Sequence, residues 1–257
     1  MSSTTPQRTL LITVAHPDDE TFGCGALIAN AAASGIRVIV CSASRGELGE
    51  DASGLYPTPA ALGAAREQEF REAAAALGAA EAELLGLIDS GWAGEPAPGS
   101  IVAESDRLAV ALGDALERHR PGAVVTMDPT GSDGHRDHAA VGAATDAAFA
   151  TIVDWPASLY HWCLPHSLMD AWGAEIAAQN PDSVYLGTEL GRADADVTTV
   201  LDGRPALARV RSALGIHRTQ TSPFATVSEA LTERFLSEDH LVRQVPPWPG
   251  GPPEDAL

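Results

Sequence analysis

The chain has 257 residues, 45% hydrophobic and 20% charged, a globular composition with enough length for one α/β domain of above-average size. Sixteen basic residues stand against 35 acidic ones, giving a formal charge of −19, and every basic residue is an arginine. Scattered arginines in so acidic a chain argue against nucleic-acid and anionic-membrane binding, and the missing lysine excludes a lysine Schiff base and a Walker-type phosphate loop.

The polar start MSSTTPQRTL and the short apolar run after it predict neither a secretory signal nor a membrane span, hence a cytoplasmic protein. Residues 9–16 (TLLITVAH) read as a buried strand, 20–35 as a helix closed by Gly35, and 36–44 as a second buried strand. An alanine-rich helix over 60–78, a short strand over 82–87, a helix over 104–120 and a strand over 122–128 follow. A helix from His138 to about Ile152 comes next, then a strand over 158–165 and helices over 165–179, 204–217 and 226–238. Strands alternating with helices predict a doubly wound, mostly parallel α/β sheet in a single domain over 1–245. Residues 246–257, rich in proline and glycine, read as a surface tail. Cys24, Cys41 and Cys163 are widely spaced and predict reduced, buried thiols.

Two polar clusters fall where strands should end. The first is A-H-P-D-D-E (15–20), after the first strand; the second is D-P-T-G-S-D-G-H-R-D-H (128–138), after the fourth. In a doubly wound sheet the first and fourth strands flank the point where strand order reverses, and ligands bind there. His16 and Asp19 from one loop with His138 from the other would supply two imidazoles and a carboxylate, with a fourth position left for water, as in catalytic zinc sites. The alternatives are acids that cap the first helix and histidines that cap the later one.

The pair A-H-P-D-D-E and G-H-R-D-H resembles the zinc-dependent N-deacetylases of the LmbE-like or PIG-L family, over roughly residues 9–150. Enzymes of mycothiol and bacillithiol metabolism are among its members. The resemblance implies a Rossmann-like fold and one zinc ion per chain on His16, Asp19 and His138, with ferrous iron as an alternative. It also implies Asp18 as the base that activates water, His135 as a protonated acid, and Asp137 as the group that orients His135. The substrate implied is a small N-acetylated amino-sugar conjugate. S-R-G-E-L-G-E (44–50), A-R-E-Q-E (65–69) and L-I-D-S-G-W (87–92) resemble the family's pocket segments, placing Glu47, Arg66 and Asp89 toward substrate; H-R-T-Q (217–220) adds His217.

Two positions depart from the family pattern: Asp133 stands where mycothiol-pathway enzymes carry tyrosine, and Arg136 replaces the proline of H-P-D-H. Both are expected at the substrate rim. The chain also reads as short for a mycothiol-pathway enzyme, so an unassigned small-molecule deacetylase is equally open, as is a homo-oligomer. A mycothiol-conjugate-type amidase, a two-metal phosphoesterase and a non-catalytic metal- or sugar-binding protein are the competing readings. The presence of Asp18, a base with no purpose in a binding module, favours the enzyme.

Overall fold

The computed structural model describes residues 8–152, 154–181, 186 and 190–257. Residues 1–7, the polar start of the expected domain, lie outside the described residues. The elements are β1 (Thr9–Val14), α1 (Asp19–Ala33), β2 (Arg37–Ser42), α2 (Pro59–Leu77), β3 (Glu81–Leu84), α3 (Ser105–His119), β4 (Ala123–Met127), α4 (Arg136–Phe149), β5 (Ser158–Trp162), α5 (His166–Gln179), β6 (Thr199–Asp202), α6 (Leu207–Leu214), α7 (Glu229–Ser237) and β7 (Glu238–Val245). The strands form one seven-stranded sheet in the order β3-β2-β1-β4-β5-β7-β6. The first five run parallel; β7 is antiparallel to both β5 and β6.

Parallel strands covered on both faces need apolar side chains on both faces, and TLLITV and RVIVCS are buried at every position after the first. α1, α2 and α6 pack together as one layer and α3 with α4 as another, the arrangement right-handed crossovers produce on either side of β1. The expected neighbour relation holds, with Leu10 to Thr13 of β1 paired against Ala123 to Thr126 of β4. Below the carboxyl ends of these strands, Thr13, Thr126 and Thr145 join their hydroxyls at 2.7–3.1 Å and tie β1, β4 and α4 together. A Cβ on Gly142 would lie 2.4 Å from the Met127 carbonyl oxygen, so glycine there lets α4 sit directly on the end of β4. The three cysteines are free and buried, and burial raises their thiol pKa values, as expected for unreactive sulfur.

The antiparallel extension differs from the sequence reading. β6 was not anticipated, and the helix expected over 226–238 gives way at Glu238 to β7, whose alternation EDHLVRQV is half polar. Residues 246–257 run along the surface, as a tail would, and touch the sheet at one bridge, where Val200 N–H donates to Glu254 O and Glu254 N–H to Thr198 O on the outer edge of β6. Leu257 packs against the main core.

β7 also buries a carboxylate. Asp239 has one oxygen without a partner among the described residues, and burial, offset in part by the Leu27 amide, pushes its pKa up from 3.8 to about 7. Between those two values the folded chain keeps a proton that the unfolded chain releases. Stability from this group is therefore full below 3.8 and lost as pH rises to 7, on the order of 4 kcal/mol in all. Asp239→Asn should match the wild type near pH 4 and exceed it in urea unfolding at pH 8; an equal difference at both pH values would refute the assignment.

Candidate active site

The site forms where β1 and β4 end. Between Val14 and Asp19 the chain turns through Pro17 and Asp18, and Asp18 adopts φ 113°, a strained conformation for a residue with a Cβ. Its surroundings hold it there. Asp18 N–H donates to Glu20 Oε2 (2.9 Å), His16 N–H to Asp19 Oδ2 (2.8 Å), and Arg66 Nη2 donates to Pro17 O (2.7 Å) and Asp18 Oδ2 (3.1 Å). The acids of the first turn thus bind amides upstream of the helix, and the Asp18 side chain makes no capping bond to α1.

After β4, His135 is the N-cap of α4, its Nδ1 accepting the Asp137 N–H at 3.2 Å. Asp133 spans the same turn: Oδ1 accepts from His135 N–H (3.0 Å) and Oδ2 from His138 Nδ1 (2.5 Å).

The two loops meet at three side chains. His138 Nε2 lies 3.4 Å from His16 Nδ1 and 3.3 Å from Asp19 Oδ1, while Asp19 Oδ2 lies 3.6 Å from His16 Nδ1. The outward ring nitrogens are both anchored on carboxylates. His16 Nε2 is 3.1 Å from Asp137 Oδ2, which also accepts the Ser90 N–H at 2.9 Å, and His138 Nδ1 is held by Asp133. With both outer nitrogens occupied as donors, each ring in its neutral form, the form a metal takes, would aim its inner lone pair at the same point. Ligands about 2.0–2.1 Å from a tetrahedral ion are separated by about 3.3 Å. The observed 3.3–3.6 Å spacing and the N,N,O donor set therefore fit zinc at His16, Asp19 and His138.

Other donors lie close by. His135 joins His16 and His138 in a group with nitrogens within 4.8 Å of one another, and Asp89 and Asp137 flank the other side of His16. That second group is already committed: Asp89 accepts from Gly91 N–H and Leu48 N–H, and Asp137 from Ser90 N–H. A third group, Glu81, Glu83 and His119, lies away from the site and is neutralised by Arg37 and Arg118.

Electrostatics follow from this packing. Burial disfavours charge on His16, but its bonds to Asp137 and Asp19 outweigh it and raise the pKa to about 9. His138 is likewise penalised by burial and carried well above the usual range by Asp133 and Asp19. Burial would raise Asp19, yet His138 and His16 hold it well below the ordinary carboxylate value. Asp18 moves up to about 6, chiefly by burial and against the pull of Arg66. His135 moves down to about 4, through burial and the neighbouring His16 and His138.

Several expected roles change. Against the expected protonated acid, burial and the neighbouring His16 and His138 disfavour the cationic form of His135 in the metal-free chain, and with Nδ1 accepting from Asp137 N–H its free donor position is Nε2. The Asp137 carboxylate orients His16, not His135. Asp133, expected at the rim, grips His138. Arg66, expected to clamp substrate, is buried, and its guanidinium is engaged by Gly46 O, Pro17 O and Asp18. Asp89 is buried beside His16, 3.6 Å from Nε2. Glu47 is partly buried, and its described hydrogen bond goes to Arg45 N–H. His217 is buried against Glu20 (2.8 Å) and Thr21 (3.1 Å), behind the first loop. Sequence reasoning missed Glu20 as the acceptor that shapes the Asp18 turn, and Trp92, whose ring meets His135 edge-on at 5.0 Å. Both lie within motifs already singled out.

A family model described as PIG-L, GlcNAc-PI de-N-acetylase, matches residues 11–149, which include both loops. The chain belongs to the PIG-L family. It is 34% identical to a 1D-myo-inositol 2-acetamido-2-deoxy-alpha-D-glucopyranoside deacetylase 2 of Saccharopolyspora erythraea, over 94% of this chain and 95% of that protein. The chain is therefore not short beside this relative. Among solved structures, N,N'-diacetylchitobiose deacetylase from Pyrococcus horikoshii superposes with a TM-score of 0.61 at 16% identity, covering 93% of this chain and 84% of that one. The 4-carboxy-2-hydroxymuconate hydratase of Pseudomonas putida KT2440 superposes with a TM-score of 0.63 at 21% identity, covering 95% and 99%. At those identities the likeness is one of fold, and two differently named activities on it show that the site has to decide the chemistry. Among the described residues, no helix is long and apolar enough to cross a membrane.

Proposed function

We propose that this PIG-L protein is a metal-dependent N-deacetylase that removes acetyl from an N-acetylated amino-sugar conjugate, with glucosaminyl-inositol amides as the leading substrate class. The observation that carries the reading is the convergence of His16 Nδ1, His138 Nε2 and the Asp19 carboxylate at ligand spacing, beside a carboxylate base. The close relative named as an acetamido-glucopyranoside deacetylase supports the substrate class. His16, Asp19 and His138 would hold one divalent ion, zinc by donor set. When bound, zinc supplies Lewis acidity and a lowered water pKa of about 7.

The chain's own groups do the rest. Asp18, fixed through Oδ2 by Arg66, takes the proton of the attacking water; a pKa of about 6 leaves it ionised and still basic enough at neutral pH. His135 donates from Nε2 to the oxygen that becomes negative as the carbonyl carbon turns tetrahedral, a role a neutral imidazole performs. As the C–N bond breaks, the proton held by Asp18 passes to the departing amine nitrogen, leaving acetate and a free amine. Asp133 and Asp137 keep the two imidazoles turned inward.

Two measurements test this reading. Acetate and free amine should appear in equal amounts from an N-acetylglucosaminyl-inositol conjugate; turnover of no N-acetylated sugar by metal-loaded protein would overturn it. Asp133→Asn should weaken zinc binding about 10- to 100-fold in a competition titration, the usual effect of removing a carboxylate behind a ligating histidine. Unchanged affinity would return Asp133 to the rim.

A further inference from the structure

We propose that Arg136 is a positioning residue that sets substrate specificity by fixing the 89–94 loop against the site. The proposal rests on the deacetylase reading above and concerns a residue that stands where the family pattern has proline.

The loop between Ile88 and Ser100 is an arch. A single bridge closes its base, with Ile88 N–H on Gly99 O and Ile101 N–H on Ile88 O. Its crown has no regular backbone pairing. The chain turns at Gly91 and Gly94 with positive φ, and these turns aim successive carbonyls at one guanidinium. Arg136 Nε donates to Gly91 O (2.7 Å), Nη1 to Gly94 O (2.7 Å), and Nη2 to Ser90 O and to Ala93 O (3.4 Å). The next residue completes the grip, since Asp137 Oδ2 accepts the Ser90 N–H. A planar group with five fixed donors can satisfy four carbonyls at once; an ammonium cannot, and proline offers no donor at all.

What the loop carries gives the clamp its purpose. Trp92 is 42% exposed, and its ring stands 5.0 Å from His135 at an interplanar angle of 72°. The indole therefore forms an apolar wall beside the residue assigned to the reacting carbonyl, suited to the C–H face of a sugar ring. A wall on an irregular arch helps binding only if it is already in place, because ordering it on arrival would consume binding energy. Arg136 holds it in place from the first turn of α4, the same turn that supports His138.

The test uses zinc-loaded full-length protein with Arg136→Ala, Arg136→Lys, Trp92→Ala and the double variant Arg136→Ala/Trp92→Ala. Arg204→Ala, which removes an exposed arginine paired with Asp202, is the control. Arg136→Ala is expected to raise KM for an N-acetylglucosaminyl conjugate at least tenfold with less than a threefold loss of kcat, and to speed hydrogen exchange at amides 90–94 at least tenfold. Arg136→Lys should fall between it and the wild type. The double variant should be no worse than Trp92→Ala, since both changes remove one contact. The control should match the wild type in both readouts. Unchanged exchange at 90–94 in Arg136→Ala overturns the clamp; faster exchange with unchanged KM, or additive losses in the double variant, overturns the specificity role. If the wild type hydrolyses no N-acetylated sugar, the deacetylase reading and the specificity role fall together, while the exchange data still decide the clamp.

Discussion

Asp18→Asn should lower kcat for amide hydrolysis about a thousandfold while zinc content stays at one ion per chain. Loss of a positioned general base costs about 10²- to 10⁴-fold. Asparagine keeps the shape, tolerates the φ of 113° at this turn, and can still accept from Arg66, so the fold is not at risk. Only proton acceptance is removed. Wild-type turnover in this variant would assign the base elsewhere; a matching loss of zinc would make Asp18 a ligand.

His138→Ala should lose stoichiometric zinc, and turnover with it, whereas His135→Ala should keep zinc and lose about 10²- to 10³-fold in kcat, the cost of one donor to a developing oxyanion. The contrast matters because the three histidine rings are mutual neighbours, with centroids 4.8–5.3 Å apart. Spacing alone therefore admits a site of His16, His135 and His138. The hydrogen bonds favour the proposed set: His135 spends Nδ1 on the Asp137 amide and has no carboxylate behind it among the described bonds, whereas His16 and His138 each do. Full zinc retention by His138→Ala, or its loss from His135→Ala, would reverse the assignment.

The parallel half of the sheet was readable because strands buried on both faces must be continuous apolar runs, as TLLITV and RVIVCS are. The pairing of β1 with β4 followed from topology and brought A-H-P-D-D-E and G-H-R-D-H together. β6 and β7 were hidden for a local reason. β7 starts at Glu238 directly after the last residue of α7, with no glycine or proline between them, so the helical pattern ran on into a half-polar strand.

At the candidate site, which polar residues gather was legible and the directions of their side chains were not. Composition marks Asp133, Asp137 and Arg66 as polar groups near the motif. Only folded loops reveal that Asp137 reaches His16, that Asp133 reaches His138, and that Arg66 turns inward to Pro17 and Asp18. The downward pull on the His135 pKa was hidden for a related reason. The ring's own burial, together with the His16 and His138 imidazoles, each favoured as a cation in the absence of metal, depresses its pKa, and His16 reaches it across a separation of 119 positions. The overall charge of −19 acquires a local meaning here, since Asp18, Asp19, Asp89, Asp133 and Asp137 crowd a small volume that a divalent cation would help to neutralise.

The central claim is that a metal held by His16, Asp19 and His138 enables amide hydrolysis, and acetate release during zinc titration of chelator-stripped protein tests it most directly. With an N-acetylglucosaminyl-inositol conjugate, release should be absent without metal and rise linearly to a plateau at one zinc per chain. Equal release by the stripped protein, or a plateau reached only at two ions per chain, would contradict the account.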